Sequence, residues 1–310
     1  MADELRCSPC LRRLSITNRY LRIAMAESLG TLILILCGCG SVAQMELSGF
    51  AKAQFLSVNI AFGFAVTAGS YVSAGVSGAH LNPAVSLAMC ILWKISWRQL
   101  LVYCLAQFIG AFAGAGLVYL LYFDALRAYG GGNWTVYGPQ ATAGIFASYP
   151  SEHLGAINGL SDQVIATATL IICILAIIDN GNNPIPQNLQ PLLVGIVVLL
   201  VGLSMGFNCG YPINPARDLA PRIFTALAGW GLEVFRAGGH WWWVPVVGPM
   251  IGAFFGTAFY EIFIGIHIPQ GQREENDGGE EHQPAEDEAA ELPEKEELIE
   301  TEEELIETTA

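Results

Sequence analysis

Charged side chains are scarce in this sequence. Asp, Glu, Lys and Arg make up 14% of its 310 residues, against about 25% in an average soluble domain. Hydrophobic residues account for 53%, and the mean hydropathy is +0.45. A chain with so few charges has little with which to cover a water-exposed surface. We therefore expect it to lie in a membrane rather than to fold as a soluble globular protein.

Residue sets that carry out catalysis or bind metals are also missing. The eight cysteines are scattered, mostly within apolar runs, where a cysteine behaves as a small hydrophobe. Cys7 and Cys10 have the CxxC spacing of redox sites but lie in a polar terminal segment, outside any βαβ pattern. The sequence therefore predicts no catalytic residue, no metal site, no cofactor and no nucleic-acid partner, and it argues against an enzyme.

The few charges are unevenly distributed. Seventeen of the 28 acidic residues lie from Ile268 onward with two basic ones, which leaves 11 acids and 12 bases before it. Residues 268–310 are Glu-rich and poor in apolar residues, which predicts an acidic disordered cytoplasmic tail. Within it, Glu294, Leu298 and Ile299 fit the acidic dileucine pattern of a signal read by trafficking adaptors. A solvated tail without a signal is the alternative.

Long apolar runs are abundant. A membrane-spanning helix needs about 20 predominantly apolar residues, and six segments meet or approach that length. The sequence therefore predicts an all-α polytopic membrane protein with a channel domain over residues 20–267. The predicted spans are Leu21–Gln44, Gln54–Val76, Leu100–Phe123, Asp162–Ile178, Pro191–Phe207 and Trp241–Ile266.

The tripeptide Asn-Pro-Ala interrupts this apolar chain twice. Asn followed by Pro is a helix-start signal, with Asn as the N-cap and Pro at the first helical position. The apolar stretches that follow, Val85–Trp93 and Leu219–Leu227, are too short to cross a membrane. The two copies consist of Asn82, Pro83 and Ala84, and of Asn214, Pro215 and Ala216.

The two copies occupy equivalent places in two halves of the chain. Glu27 opens the first half 55 residues before Asn82, and Gln163 opens the second 51 residues before Asn214. Each half, about residues 20–125 and 155–267, has three spans, and an odd number requires an inverted internal repeat. We therefore expect two re-entrant half-helices that enter from opposite faces and meet near the midplane.

Basic residues predict the orientation. Basic residues cluster in the N-terminal segment, residues 1–19, and two more, Lys94 and Arg98, lie in the connection after the first Asn-Pro-Ala. This distribution places the N-terminus in the cytoplasm. Six spans place the C-terminus there too. The sequon at Asn133 then lies outside the cell, where it is a candidate glycosylation site.

Two facing half-helix N-termini produce a positive potential that disfavours cations, including hydronium. Each Asn is expected to cap its own helix and to donate its amide into the pore, which would interrupt a proton-conducting chain of water. Arg217 follows the second motif directly. In an apolar segment it must face water or pair with a carboxylate, so the alternatives are a pore-lining donor and a buried ion pair with Asp218.

The segments Ser77-Gly-Ala-His-Leu-Asn-Pro-Ala-Val85 and Gly210-Tyr-Pro-Ile-Asn-Pro-Ala-Arg-Asp218 resemble the signature loops of the aquaporin, or major intrinsic protein, family. Asp218 and the run Phe224–Gly231 resemble its glycerol-conducting branch, the aquaglyceroporins. The resemblance implies an aquaporin-like fold and a homotetramer in the plasma membrane. It also implies a passive channel for glycerol, water, urea and similar small neutral solutes that excludes protons and ions.

The resemblance also implies roles for particular residues. It places a selectivity filter at Phe62, Gly202, Tyr211 and Arg217, where Gly202 would leave room for a three-carbon polyol. It assigns support of the pore loops to Glu27, Gln163, Asp218 and His80. Gln163 departs from the family's usual Glu, and the adjacent Asp162 is expected to share its task.

Other functions remain open on the sequence alone. A channel for water alone is disfavoured by Gly202 and Asp218. A coupled secondary transporter could also use inverted repeats and broken helices but needs ionisable residues at the midplane. An adhesion or scaffold protein with a closed pore is a third alternative.

Overall fold

The computed structural model describes residues 15–269, and these are helical without any strand. The predicted signal residues Glu294, Leu298 and Ile299 and the pair Cys7 and Cys10 lie outside the described residues. In chain order the helices are α1 (Arg19–Leu47), α2 (Phe55–Ser77), α3 (Pro83–Ile91), α4 (Trp97–Leu121), α5 (Phe123–Tyr129), α6 (Ala156–Ile178), α7 (Gln190–Met205), α8 (Pro215–Thr225), α9 (Glu233–His240) and α10 (Val244–Phe263).

The six predicted spans correspond to α1, α2, α4, α6, α7 and α10. Helix α6 begins at Ala156, before the predicted Asp162, because its first turns contain small and polar residues that lower the local hydropathy. Helix α7 has 16 residues, which is about 24 Å at 1.5 Å per residue. It is therefore shorter than the other spans, and the flanking loops extend it.

The two half-helices begin where the sequence predicts. Asn82 Oδ1 accepts a bond from the Ala84 amide at 2.9 Å, and Pro83 is the first residue of α3. Asn214 Oδ1 accepts from the amides of Ala216 at 3.0 Å and Arg217 at 3.1 Å at the start of α8. Each Asn therefore satisfies donors that would otherwise be unpaired at a helix N-terminus.

The repeat is visible in how the long helices cross. Helix α1 packs on α4, and α6 packs on α10 in the same way. A Cβ at Gly114 would lie 2.8 Å from the Leu32 carbonyl oxygen, and one at Gly252 would lie 2.6 Å from that of Val164. Only glycine permits these close approaches, so the small residues of α4 and α10 hold each half of the fold together.

Polar and apolar side chains are distributed as in a membrane protein. Large apolar side chains such as Leu105, Ile109 and Phe259 are exposed on the outer faces of the helices. Glu27, Gln163 and other polar side chains are buried inside. This arrangement leaves an apolar surface for lipid and concentrates hydrogen-bonding groups around the interior.

Candidate functional site

The N-termini of α3 and α8 are bound to each other through the two Asn side chains. Asn82 Nδ2 donates to the Ile213 carbonyl at 3.0 Å, and Asn214 Nδ2 donates to the Leu81 carbonyl at 2.8 Å. A primary amide has two N–H groups, so each Asn uses one to join the loops and has one more to direct into the cavity. The sequence predicts the capping and the inward donor but not this reciprocal bridge.

The backbone before each Asn repeats the same unusual conformation. Ala79 and Leu81 have φ values of 55° and 53°, and Tyr211 and Ile213 have 44° and 39°. Non-glycine residues in this left-handed region cost about 1 kcal/mol or more each. The two loops are therefore strained in the same two places and need fixed partners to hold them.

Glu27 supplies those partners for the first loop. One carboxylate oxygen accepts from Ser77 Oγ at 2.6 Å and from the His80 amide at 3.0 Å. The other accepts from the Leu81 amide and from Gln107 Nε2, both at 2.8 Å. Four donors satisfy this fully buried carboxylate, which positions the backbone just before Asn82.

Gln163 binds the backbone of the second loop, as Glu27 binds that of the first, but through a single acceptor oxygen. Its Oε1 accepts from the Ile213 amide at 3.0 Å. Its Nε2 donates to Asp162 Oδ1 at 2.9 Å and to Cys209 Sγ at 3.2 Å. Asp162 Oδ2 in turn accepts from Asn208 Nδ2 at 2.7 Å. The structure thus places Asp162 beside Gln163 as a second brace for this loop.

His80 lies in the first loop and is held on two sides. Its Nδ1 is 3.0 Å from Ser86 Oγ, and its ring stacks on Tyr103 with centroids 4.3 Å apart. The ring also borders the central cavity. These contacts make His80 a fixed part of the loop that supports α3.

Three of the four residues expected in the filter form one cluster. The Arg217 guanidinium lies 4.9 Å from the Phe62 ring centroid, and NH1 donates to the Phe146 carbonyl at 3.2 Å. The Tyr211 ring meets Phe62 edge-on with centroids 6.3 Å apart. A cation and two aromatic rings thus lie together at the cavity wall, and the Phe146 carbonyl fixes the cation.

The Tyr211 ring and the Asn59 amide lie beside Gly202. A Cβ at Gly202 would lie 2.6 Å from Tyr211 Cζ and closer still to Asn59 Oδ1. The room left by the missing side chain is therefore filled by the Tyr211 ring. Gly202 acts indirectly, because it lets Tyr211 lie against α7 instead of projecting across the cavity.

Asp218 does not pair with Arg217, so the ion-pair interpretation of those two neighbours is wrong. Asp218 binds Arg222 at 2.8 Å, with both side chains fully buried, and it accepts from the Ser148 amide at 2.6 Å. Residues four apart share a helix face whereas successive residues do not. Asp218 therefore ties α8 to the segment before α6 and leaves Arg217 to the cavity.

No role was predicted from the sequence for Arg222, Phe146 or Asn59. Arg222 donates to the carbonyls of Val234 and Ser148 as well as to Asp218. Its i, i+4 spacing from Asp218 was a usable signal, whereas Phe146 acts through its carbonyl, which leaves no trace in side-chain patterns.

Tyr149 packs against the buried Asp218–Arg222 pair. Its ring packs on the Arg222 guanidinium at 4.6 Å. Burial raises the pKa of Tyr149 to about 12, although Arg222 opposes that rise. The phenol therefore stays neutral at physiological pH and leaves the charge balance of the Asp218–Arg222 pair unchanged.

A cavity of 540 Å³ connects these parts. It runs from the filter cluster past both Asn side chains to the connection between α6 and α7, where Asn180 and Asn188 border it. One part of its wall consists of the two strained loops with their polar groups. Another part is apolar and consists of Val66, Val85, Met89, Leu170, Ile174, Val194 and Val198.

Comparisons with known proteins agree with this architecture. The family model described as major intrinsic protein matches residues 15–260. The chain is 51% identical to human aquaporin-10 over 258 residues, which cover 83% of this chain and 86% of that protein. It is 47% identical to human aquaporin-9 (84% and 88% covered) and 46% identical to mouse aquaporin-7 (84% and 86% covered).

Among solved structures, the aquaglyceroporin from Plasmodium falciparum superposes with a TM-score of 0.72 at 28% identity. The match covers 80% of this chain and 98% of that one. The family model spans most of the chain, and the paired half-helices give the same fold. The chain therefore belongs to the major intrinsic protein, or aquaporin, family and resembles the family's aquaglyceroporins in sequence and fold.

Proposed function

We propose that the 540 Å³ cavity is the conducting pore of a passive channel. Its filter is formed by Phe62, Tyr211 and Arg217, which border the cavity, together with Gly202, against which the Tyr211 ring lies. The protein is a channel for glycerol and water and not an enzyme. One observation carries the pore assignment: the same cavity is bordered by Phe62, Tyr211 and Arg217 and by both Asn side chains, and its lining contains both polar groups and apolar side chains.

A lining that contains both polar and apolar groups matches the chemistry of a polyol. The CH edge of glycerol fits against Phe62, Tyr211 and the apolar wall, while its hydroxyls bond to Arg217, Asn82 and Asn214. Such a molecule loses its water shell without leaving polar groups unpaired, since each hydroxyl finds a partner in turn. Urea has the same combination of small size and polar edges, and we include it among the solutes.

The pore is expected to exclude cations because the groups beside it carry positive charge. Arg217 borders the pore, and the N-termini of α3 and α8 each contribute roughly half a positive charge beside Asn82 and Asn214. A cation in the pore therefore meets repulsion and gains no carboxylate partner. The two Asn amides bond a passing oxygen from both loops, which interrupts proton transfer along a water chain.

The ionisable residues that line the cavity disfavour a coupled transporter. Among the described residues that line the cavity there is no Asp or Glu. Glu27 and Asp218 are buried and bound to fixed donors. Ion coupling needs an ionisable group that loads and unloads within the transport path, and this pore offers only Arg217 and His80.

Assembly and location are further parts of the proposal. We propose a homotetramer in the plasma membrane with both termini cytoplasmic, glycosylation at Asn133, and an adaptor signal at Glu294, Leu298 and Ile299. The exposed apolar helix faces fit lipid and neighbouring subunits, and Asn133 lies exposed in the connection after α5. Truncation after Pro269 that leaves surface abundance and endocytosis unchanged would rule out the adaptor signal.

The substrate range is tested by light scattering from proteoliposomes. Vesicles placed in hyperosmotic glycerol or urea are expected to shrink and then reswell quickly, whereas those in sucrose stay shrunken. Shrinkage without reswelling in glycerol would indicate a channel for water alone. Behaviour identical to that of empty vesicles would indicate a closed scaffold.

A further inference from the structure

Two buried polar side chains beside the filter have no hydrogen-bond partner. Asn59 is fully buried in α2, and neither its amide oxygen nor its amide nitrogen is bonded. The Tyr211 hydroxyl is also buried and unbonded. Buried polar groups in native proteins nearly always have partners, so such a pair needs an explanation.

Both side chains approach Gly202 closely. A Cβ at Gly202 would meet Asn59 Oδ1 and would lie 2.6 Å from Tyr211 Cζ, the atom that carries the hydroxyl. A Cβ at Gly206, one turn further on, would lie 2.8 Å from Tyr211 Cδ1. The Tyr211 ring therefore lies along Gly202 of α7 and Gly206, the residue that follows α7, and the Asn59 amide oxygen approaches Gly202 from beside it.

Asn59 stands behind the filter and not within the pore. It is three residues before Phe62 on α2 and so shares a helix face with it, but it does not border the cavity, whereas Phe62 and Tyr211 do. Tyr211 belongs to a strained loop with a φ of 44°, so regular backbone structure does not fix the direction of its ring.

We propose that Asn59 is a positioning residue that sets the size selectivity of the filter. Its amide holds the Tyr211 hydroxyl against Gly202 and Gly206 through one buried water, which supplies the partner that each group lacks. With the ring held back, the opening between Phe62, Tyr211 and Arg217 stays wide enough for a polyol. Without the anchor, the ring swings toward the opening, and glycerol is slowed more than water. The inference rests on the proposed filter.

The test is a double-mutant cycle in proteoliposomes with Asn59→Leu, Tyr211→Phe and the combination of both. The readout is the ratio of glycerol to water permeability, which does not depend on how many channels are reconstituted. Each single change is expected to lower the ratio about fivefold, roughly the value of one buried hydrogen bond. The double variant should lower it no further than the stronger single change, since both remove the same contact.

Two further variants serve as controls. Thr31→Val removes a buried hydroxyl that is likewise unbonded but lies on α1 and does not border the cavity, and it should leave the ratio unchanged. Asn59→Ser keeps a donor and an acceptor and should retain most of the wild-type ratio. If Asn59→Leu does not fold, Tyr211→Phe decides: a lowered ratio supports the anchor, and an unchanged ratio overturns it.

A further variant separates an error in the role of Asn59 from an error in the proposed filter. Tyr211→Ala removes the ring itself, so an unchanged ratio in that variant contradicts the proposed filter. A changed ratio in Tyr211→Ala together with an unchanged ratio in Asn59→Leu keeps the filter and overturns the role of Asn59. Effects of Asn59→Leu and Tyr211→Phe that multiply independently overturn it as well.

Discussion

At the scale of single residues, Gly202 shows how an absent side chain acts through its neighbours. The empty volume that a glycine suggests is occupied by the Tyr211 ring. What Gly202 provides is a resting place for that ring outside the path of the solute. The width of the pore at this level therefore depends on both residues together.

Gly202→His is expected to reduce glycerol permeability at least about tenfold while water permeability falls far less. The new side chain takes the volume that holds Tyr211 and drives the ring into the opening. Stopped-flow light scattering with glycerol and with sucrose measures the two rates. Gly144→Ala is a matched control, because a Cβ there would contact nothing within 4 Å. Equal loss of both permeabilities would contradict the account.

Gln163 is a second residue whose role depends on the side chains beside it. Its amide nitrogen donates to the Asp162 carboxylate and to Cys209 Sγ, which a carboxylate at this position cannot do. Gln163→Glu is expected to destabilise the protein by about 1–3 kcal/mol, because it places two acidic groups in contact and removes two hydrogen bonds. Thermal unfolding in detergent measures the effect.

Asp162→Asn in the same chain should recover much of that loss, since an amide at 162 can donate to the new carboxylate. Asp162→Asn alone is the control. If Gln163→Glu is as stable as the wild type, Gln163 does not brace the loop in the way described.

At the scale of elements, the half-helices depend on Asn side chains that both cap and bridge. Asp is as good an N-cap as Asn but has no N–H to donate. Asn82→Asp should therefore keep the start of α3 while losing the bond to the Ile213 carbonyl. Asn82→Ala loses both.

We expect both variants to pass protons measurably, because the junction is no longer bridged from both sides. Only Asn82→Ala should also lose about 1 kcal/mol of stability from the missing cap. A pH-sensitive dye inside proteoliposomes and thermal unfolding report the two effects separately. A proton-tight Asn82→Asp channel would show that the bridge is dispensable for proton exclusion.

The buried pair of Asp218 and Arg222 attaches α8 to the segment before α6. Arg222→Met is expected to cost about 3–5 kcal/mol, because it leaves the Asp218 carboxylate buried without its cation. Asp218→Asn combined with Arg222→Met should recover part of this, since no unpaired charge remains. Thermal unfolding of the two variants checks the order of stabilities, and equal stability of both would contradict the role of the pair. Exposed Arg236→Met, whose partner Glu233 is 3.8 Å away at the surface, should change stability little.

Much of this element-level structure was predictable from the sequence. The helix starts at Asn82 and Asn214 followed from capping chemistry, and the inverted repeat followed from the span count. The bridge between the loops did not, because side-chain amides and backbone carbonyls give no sequence pattern that pairs them. The predicted start of α6 was wrong because its first turns are polar, and the proposed filter residues rest on the family resemblance rather than on a sequence pattern.

At the scale of the whole molecule, both half-helices come from one chain, so each subunit is expected to contain a complete pore. Arg217 and two helix N-termini supply positive potential, and no carboxylate borders the cavity among the described residues. We therefore expect a channel that moves neutral solutes down their gradients without coupling to ion gradients.

The most direct test of that central claim follows glycerol flux and internal pH in the same proteoliposomes. The account predicts fast reswelling in glycerol at a rate unaffected by imposed sodium or proton gradients, while the dye reports no more proton entry than in empty vesicles. Glycerol flux that depends on either gradient, or that brings protons with it, would contradict it.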